Sequence, residues 1–209
     1  MGTKSAVGIA RICAVAFGVL YVVAMLMIGM ANDTSDKTPD QIMKDFDDNK
    51  SVALVGGYLL VIVGLLFLPL AWTAIQRVRP GLSAMTEQLA KWTALLFTAM
   101  VAVGGMVLAS IAGAVIAGSE DNPPADIIRF IPQIGYGISL VAGALAVAVF
   151  LALVSRAGQV SKAVPAWFCW LGYVAAVAML FGALFLPMVL LPIWAFAAAL
   201  VLKDTATTT

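Results

Sequence analysis

Residues 104–118 read GGMVLASIAGAVIAG and residues 133–145 read QIGYGISLVAGAL, two apolar runs on either side of Glu120 and Asp121. In the first, Gly105, Ala109, Gly113 and Ala117 recur every four residues; in the second, Gly135, Ser139 and Gly143 do. A four-residue step stays on one face of an α-helix, so each run presents a groove of small residues where another backbone can come close. The pattern predicts two antiparallel transmembrane helices in tight contact, with the remaining apolar runs packed around them.

Composition sets the class. The chain has 209 residues, of which 63% are hydrophobic and 11% charged, with a mean hydropathy of +1.04, whereas soluble domains carry about 25% charged residues. An all-α integral membrane protein follows, a single polytopic domain spanning residues 1–209. The apolar runs place spans at 6–31, 51–75, 89–118, 132–155, 166–186 and 188–202. The last block, Ala166 to Leu202, holds 37 residues, about 55 Å as one helix against roughly 30 Å of hydrocarbon. Pro187 and Pro192 are therefore expected to mark a turn between two short spans, giving a six-helix transmembrane bundle, with five spans as the alternative. The first run has 20 uninterrupted apolar residues from Ile12 to Ala31. That exceeds the roughly 7–15 of a signal-peptide core, so it reads as an uncleaved span in spite of the small residues Gly29 and Ala31.

The loops carry the charge. Residues 32–50 hold six Asp and three Lys. Within them Thr38-Pro39-Asp40-Gln41 is a helix start: Thr38 caps, Pro39 takes the first turn and Gln41 can complete a capping box. Ile42, Met43 and Phe46 then share one side, which fits either a short amphipathic helix on the membrane surface or a solvated acidic loop with one helical turn. Residues 124–131 have the same character, proline first and then acid and apolar residues. The spans that follow these loops contain Gly57-Tyr58 and Gly135-Tyr136, and Gly172-Tyr173 recurs later. Both an internal repeat of hairpins and a shared set of turn and charge rules account for this.

With the amino terminus inside, the inner segments hold eight of the 12 basic residues: Lys4, Arg11, Arg77, Arg79, Lys91, Arg156, Lys162 and Lys203. The outer segments hold Lys37, Lys44, Lys50 and Arg129. This bias predicts both termini in the cytoplasm, with Trp72, Trp92, Trp167 and Trp170 at the inner interface. Cys13 and Cys169 fall on that reducing side, where a structural disulfide is not expected.

The acidic loop after span one, the Trp72 and Arg77 that close span two, Trp167-Phe168-Cys169-Trp170-Leu171-Gly172 opening span five, and the late Leu191-Pro192-Ile193-Trp194 give the chain its texture. In this layout it resembles the small uncharacterised six-span membrane proteins of high-GC Gram-positive bacteria. The resemblance implies a bacterial cytoplasmic membrane and carries over no functional residues.

Chemistry is sparse. Histidine is absent, and the spans contain no acid or lysine from Ile12 to Ala31, Val52 to Ile75, Trp92 to Gly118, Gln133 to Val154 or Trp167 to Leu202. That argues against carboxylate relays, metal sites and nucleophile–base pairs, so no catalytic residue, metal or cofactor is assigned and an enzyme is not expected. A net charge of +1 argues against nucleic acid as a partner. Two functions remain: an accessory or scaffold subunit whose partners are the lipid bilayer and another integral membrane protein or a second copy, or a binding or transport unit for a neutral or lipid-like molecule. For the second, Tyr21, Tyr58, Ser110 and Ser139 come out at one depth in the outer leaflet when residues are counted inward from the outer ends, with Gln133 and Tyr136 above them. They line a pocket if their faces converge. Otherwise they bond neighbouring backbone carbonyls and hold helices together.

Overall fold

Thr38 and Gln41 close a reciprocal cap, the Thr38 amide donating to Gln41 Oε1 at 2.9 Å and the Gln41 amide to Thr38 Oγ1 at 3.4 Å. Pro39 follows at the first helical position, where its missing N–H costs nothing. The helix so begun does not stop where the apolar run begins. It runs from Pro39 to Val78, 40 residues, because no glycine or proline interrupts the sequence between Gln41 and the apolar run, and a helix once nucleated propagates.

The computed structural model describes residues 3–32, 36–118, 122–181 and 189–202. Every regular element among them is helical: α1 (Thr3–Ala31), α2 (Pro39–Val78), a single 3₁₀ turn (Arg79–Gly81), α3 (Ala84–Ile116), α4 (Ala125–Tyr136), a π-helical segment (Gly137–Gly143), α5 (Ala144–Ser161), α6 (Ala166–Met179) and α7 (Leu190–Val201). Four stretches are long and apolar enough to cross a membrane: residues 8–31, 39–81, 84–116 and 125–161. The helices α6 and α7 are apolar but short, with 14 and 12 residues.

Two expectations change here. The segments at 39–50 and 125–131 are helical but are not separate loop helices; each is the first part of a long rod. Ile42 and Phe46 are buried with Ala53, Ala112, Ala125 and Ile128 in a small apolar cluster, so the start of α2 packs on α3 and α4 and is neither a surface helix nor a solvated loop. In the final block the expected pair of helices, α6 and α7, is present, but Pro192 does not mark the turn between them: it lies in the first turn of α7, where proline is tolerated. Pro187, like Glu120 and Asp121, lies outside the described residues.

The helices close a ring. Contacts run from α1 to α2, α2 to α3, α3 to the α4–α5 rod, α5 to α6, α6 to α7, and α7 back to α1. Arg11 of α1 donates to the Ala199 carbonyl of α7 at 3.0 Å, so a guanidinium satisfies one of the unpaired carbonyls at that helix's end. The centre is aromatic. Tyr21 stacks on Phe17 at 5.6 Å, Phe17 meets Phe67 at 5.5 Å, Phe67 meets Phe97 at 4.6 Å and Phe150 at 5.3 Å, and Trp194 joins Phe150 at 6.0 Å to Phe168 at 5.6 Å. All seven side chains are buried, and α1, α2, α3, α5, α6 and α7 each contribute. Ring pairs at these separations are favourable beyond the area they bury.

Candidate functional site

The glycines decide which helices come closest. A Cβ on Gly57 would lie 2.5 Å from the Gly105 carbonyl oxygen and 2.6 Å from the Ala109 Cβ, and one on Gly64 would lie 3.0 Å from the Thr98 carbonyl oxygen. Thr98 Oγ1 donates to the Gly64 carbonyl at 3.1 Å, buried. Gly57 pairs with Gly105 and, one heptad on, Gly64 with Thr98, so α2 and α3 form an antiparallel seam with backbone nearly touching backbone.

This relocates the small-residue groove of α3. Gly105 and Ala109 face α2, and Gly113 sees Leu54 of α2 at 3.5 Å; Ala117 caps the end of α3 and is exposed. The face that α3 turns toward the α4–α5 rod lies one residue round the helix. A Cβ on Gly135 would lie 2.7 Å from Leu108 Cγ and 3.0 Å from the Gly104 carbonyl oxygen, one on Gly104 would overlap Ser139 Oγ, and Gly143 faces Met100 and Val101 at 3.5–3.7 Å. In an ideal α-helix a four-residue repeat drifts about 40° per step. The π-helical turn over 137–143 underwinds the rod, which keeps Gly135, Ser139 and Gly143 in line against α3.

The six hydroxyl and amide candidates are not brought together. Tyr21 is in the aromatic centre, 2% exposed. Tyr136 donates to the Ile28 carbonyl of α1 at 3.2 Å, an interhelical tie. Ser139 is buried, and its hydroxyl has no hydrogen-bond partner among the described residues. Tyr58 points outward at 62% exposure, Gln133 is exposed, and the exposed Ser110 donates to the Val107 carbonyl of its own helix at 2.7 Å. Tyr58 and Ser110 follow directly after Gly57 and Ala109, the residues in the seam, and are rotated out of it. A single pocket shared by all six does not form.

The ends of the bundle hold the ionic chemistry. At the end where α2 stops and α3 starts, Glu87 accepts from Arg79 Nε at 3.1 Å and from Lys91 Nζ at 2.6 Å. Lys91 Nζ also lies 5.1 Å from the centroid of the Trp72 ring, a cation–π distance. Arg77 donates to the Ala163 carbonyl at 3.2 Å, tying the end of α2 to the link after α5. Trp72, Trp92, Trp167 and Trp170 are all exposed by half or more, and topology puts them at this same basic end. At the opposite, acidic end Arg129 donates to the Lys37 carbonyl at 3.1 Å, and Lys37 and Asp45 pair at 2.8 Å.

Neither a family model, a curated protein nor a solved structure matches this chain. Among the described residues, no three His, Cys, Asp or Glu gather in a group that could hold a metal ion, and Cys13 and Cys169 are both free thiols.

Sequence reading missed the α2–α3 seam and the aromatic centre. Signals for both were present. Gly57 and Gly64 stand one heptad apart, and Phe17, Phe67, Phe97, Phe150 and Trp194 each lie well inside an apolar run.

Proposed function

We propose that this chain is a non-enzymatic multi-pass membrane protein that serves as an accessory or scaffold subunit, packing against another integral membrane protein or a second copy of itself. The observation that supports it is the filled aromatic centre: Phe17, Phe67, Phe150 and Trp194 are fully buried and interlocked. A bundle closed this way offers its function on its outside. There, Tyr58 and Ser110 place hydroxyls among the exposed Val55, Ile62, Val103 and Met106 on both flanks of the α2–α3 seam, where an aromatic phenol suits a helix–helix contact.

The finer topology belongs to the same reading. With 14 and 12 residues, α6 and α7 are each shorter than the usual spanning helix of about 20 residues. In this reading the two count as thin spans, giving six in all. The membrane is the bacterial cytoplasmic membrane, with the basic end and both termini inside, as in the six-span proteins of high-GC Gram-positive type.

Photocrosslinking tests this. A benzoylphenylalanine placed at Tyr58 or Met106 in native membranes should give a discrete protein adduct on illumination, at twice the chain mass if the partner is a second copy. The same group at the exposed Val19 of α1 serves as the lipid-facing control. Lipid adducts alone at all three positions would refute the scaffold reading.

A further inference from the structure

Between α2 and α3 at the basic end lies a groove of about 280 Å³, walled by Leu68, Ile75 and Leu95, flanked by the indoles of Trp72 and Trp92, with Lys91 at its mouth. We propose that it holds one anionic phospholipid, an acyl chain along the apolar wall and the phosphodiester on Lys91 and Arg79.

Charge argues for this occupant. Arg79 and Lys91 share the single carboxylate of Glu87, so two cations face one anion and one positive charge remains. Lys91 has three N–H donors, and among the described residues one goes to Glu87. The Arg79 side chain is largely exposed, and a guanidinium can offer paired donors to phosphate oxygens. Gln88, one turn of α3 from Lys91, adds an amide to the lining. A zwitterionic headgroup would bring its own ammonium to this cationic rim, and a soluble anion could not use the apolar wall. The cations sit next to indoles that belong at a membrane interface, which is the depth of a phosphodiester.

The test is native mass spectrometry of the full chain released from mild detergent, after equilibration with equimolar dioleoyl-phosphatidylglycerol and dioleoyl-phosphatidylcholine. One phosphatidylglycerol should be retained per chain with a preference of about fivefold over phosphatidylcholine. Lys91→Gln with Arg79→Gln should abolish the preference, and Arg156→Gln with Lys162→Gln should leave it intact. Equal retention of the two lipids by the parent chain overturns the proposal, as does a preference that survives loss of Lys91 and Arg79 or is lost equally with Arg156 and Lys162. A lipid-free dimer would mean that protein fills the groove, and overturns it too. Should the Lys91 and Arg79 variant not fold, quenching by bromine-labelled lipid gives the answer in a folded chain. With Trp167→Phe and Trp170→Phe in place, so that Trp72 and Trp92 are the exposed indoles among the described residues, brominated phosphatidylglycerol should quench at a lower lipid fraction than brominated phosphatidylcholine. Equal quenching refutes the site.

Discussion

Phe67 of α2 meets Phe150 of α5 edge-on, ring centroids 5.3 Å apart, and the contact ties two helices far apart in the sequence across the middle of the bundle. Phe67 also touches Phe17 and Phe97, so three other helices converge on one side chain of α2.

Removing that ring should therefore be costly. Phe67→Ala is expected to lower stability by about 3–5 kcal/mol, the range for a buried aromatic truncated in a packed core. Leu65 lies two residues away and is mostly exposed. Its replacement by alanine should change stability by about 0.5 kcal/mol or less. Equilibrium unfolding in mixed micelles reads both, and similar losses would show that Phe67 is not a hub.

The seam gives a second comparison. Gly57→Leu must force α2 away from the Gly105 carbonyl and should cost about 1–3 kcal/mol. Gly113→Leu meets only the flexible end of Leu54 at 3.5 Å and should cost less. The order was not legible in the sequence, where Gly113 belongs to the more regular small-residue row. Equal losses in the unfolding assay would argue against backbone contact at Gly57.

Ser139 and Gly104 form a coupled pair. The Ser139 hydroxyl is buried without a partner among the described residues, and an unsatisfied buried donor costs about 1–3 kcal/mol. Ser139→Ala should leave stability unchanged or raise it by about 1 kcal/mol. Gly104→Ala drives a methyl into Ser139 Oγ and should destabilise. Combining it with Ser139→Ala should recover at least about 0.5 kcal/mol as a coupling term. Strict additivity in that double-mutant cycle would contradict the contact.

Orientation is checked from outside the cell. In a background lacking Cys13 and Cys169, a cysteine at the exposed Asp48 should react with an impermeant thiol reagent on intact cells, and one at Ser161 should react only after lysis. The reverse pattern would invert the topology proposed above.

Features that depend on neighbours along the chain are legible in the residues alone. Unbroken apolar runs specified helices, because every backbone polar group in a membrane must be satisfied within its own segment. Thr38, Pro39 and Gln41 specified the start of α2 through bonds three residues apart. The distribution of Lys and Arg separated a basic end from an acidic one. Tertiary structure alone decided which face of each helix meets which neighbour. Successive residues are rotated about 100° around a helix, so the adjacent Gly104 and Gly105 serve different partners, the first at Ser139 and Gly135 and the second at Gly57. The same rotation turned Tyr58 and Ser110 outward while Tyr21 and Ser139 went inside. Both the level of one helix against the next, fixed by contacts such as Gly56 with Ile28 and Gly57 with Gly105, and the facing direction are set by the packing of all the helices at once, including the local underwinding at 137–143. That is why four hydroxyls that a count from the helix ends puts at one depth do not make one site, whereas Lys91, Trp72 and Trp92 of two successive helices line one groove.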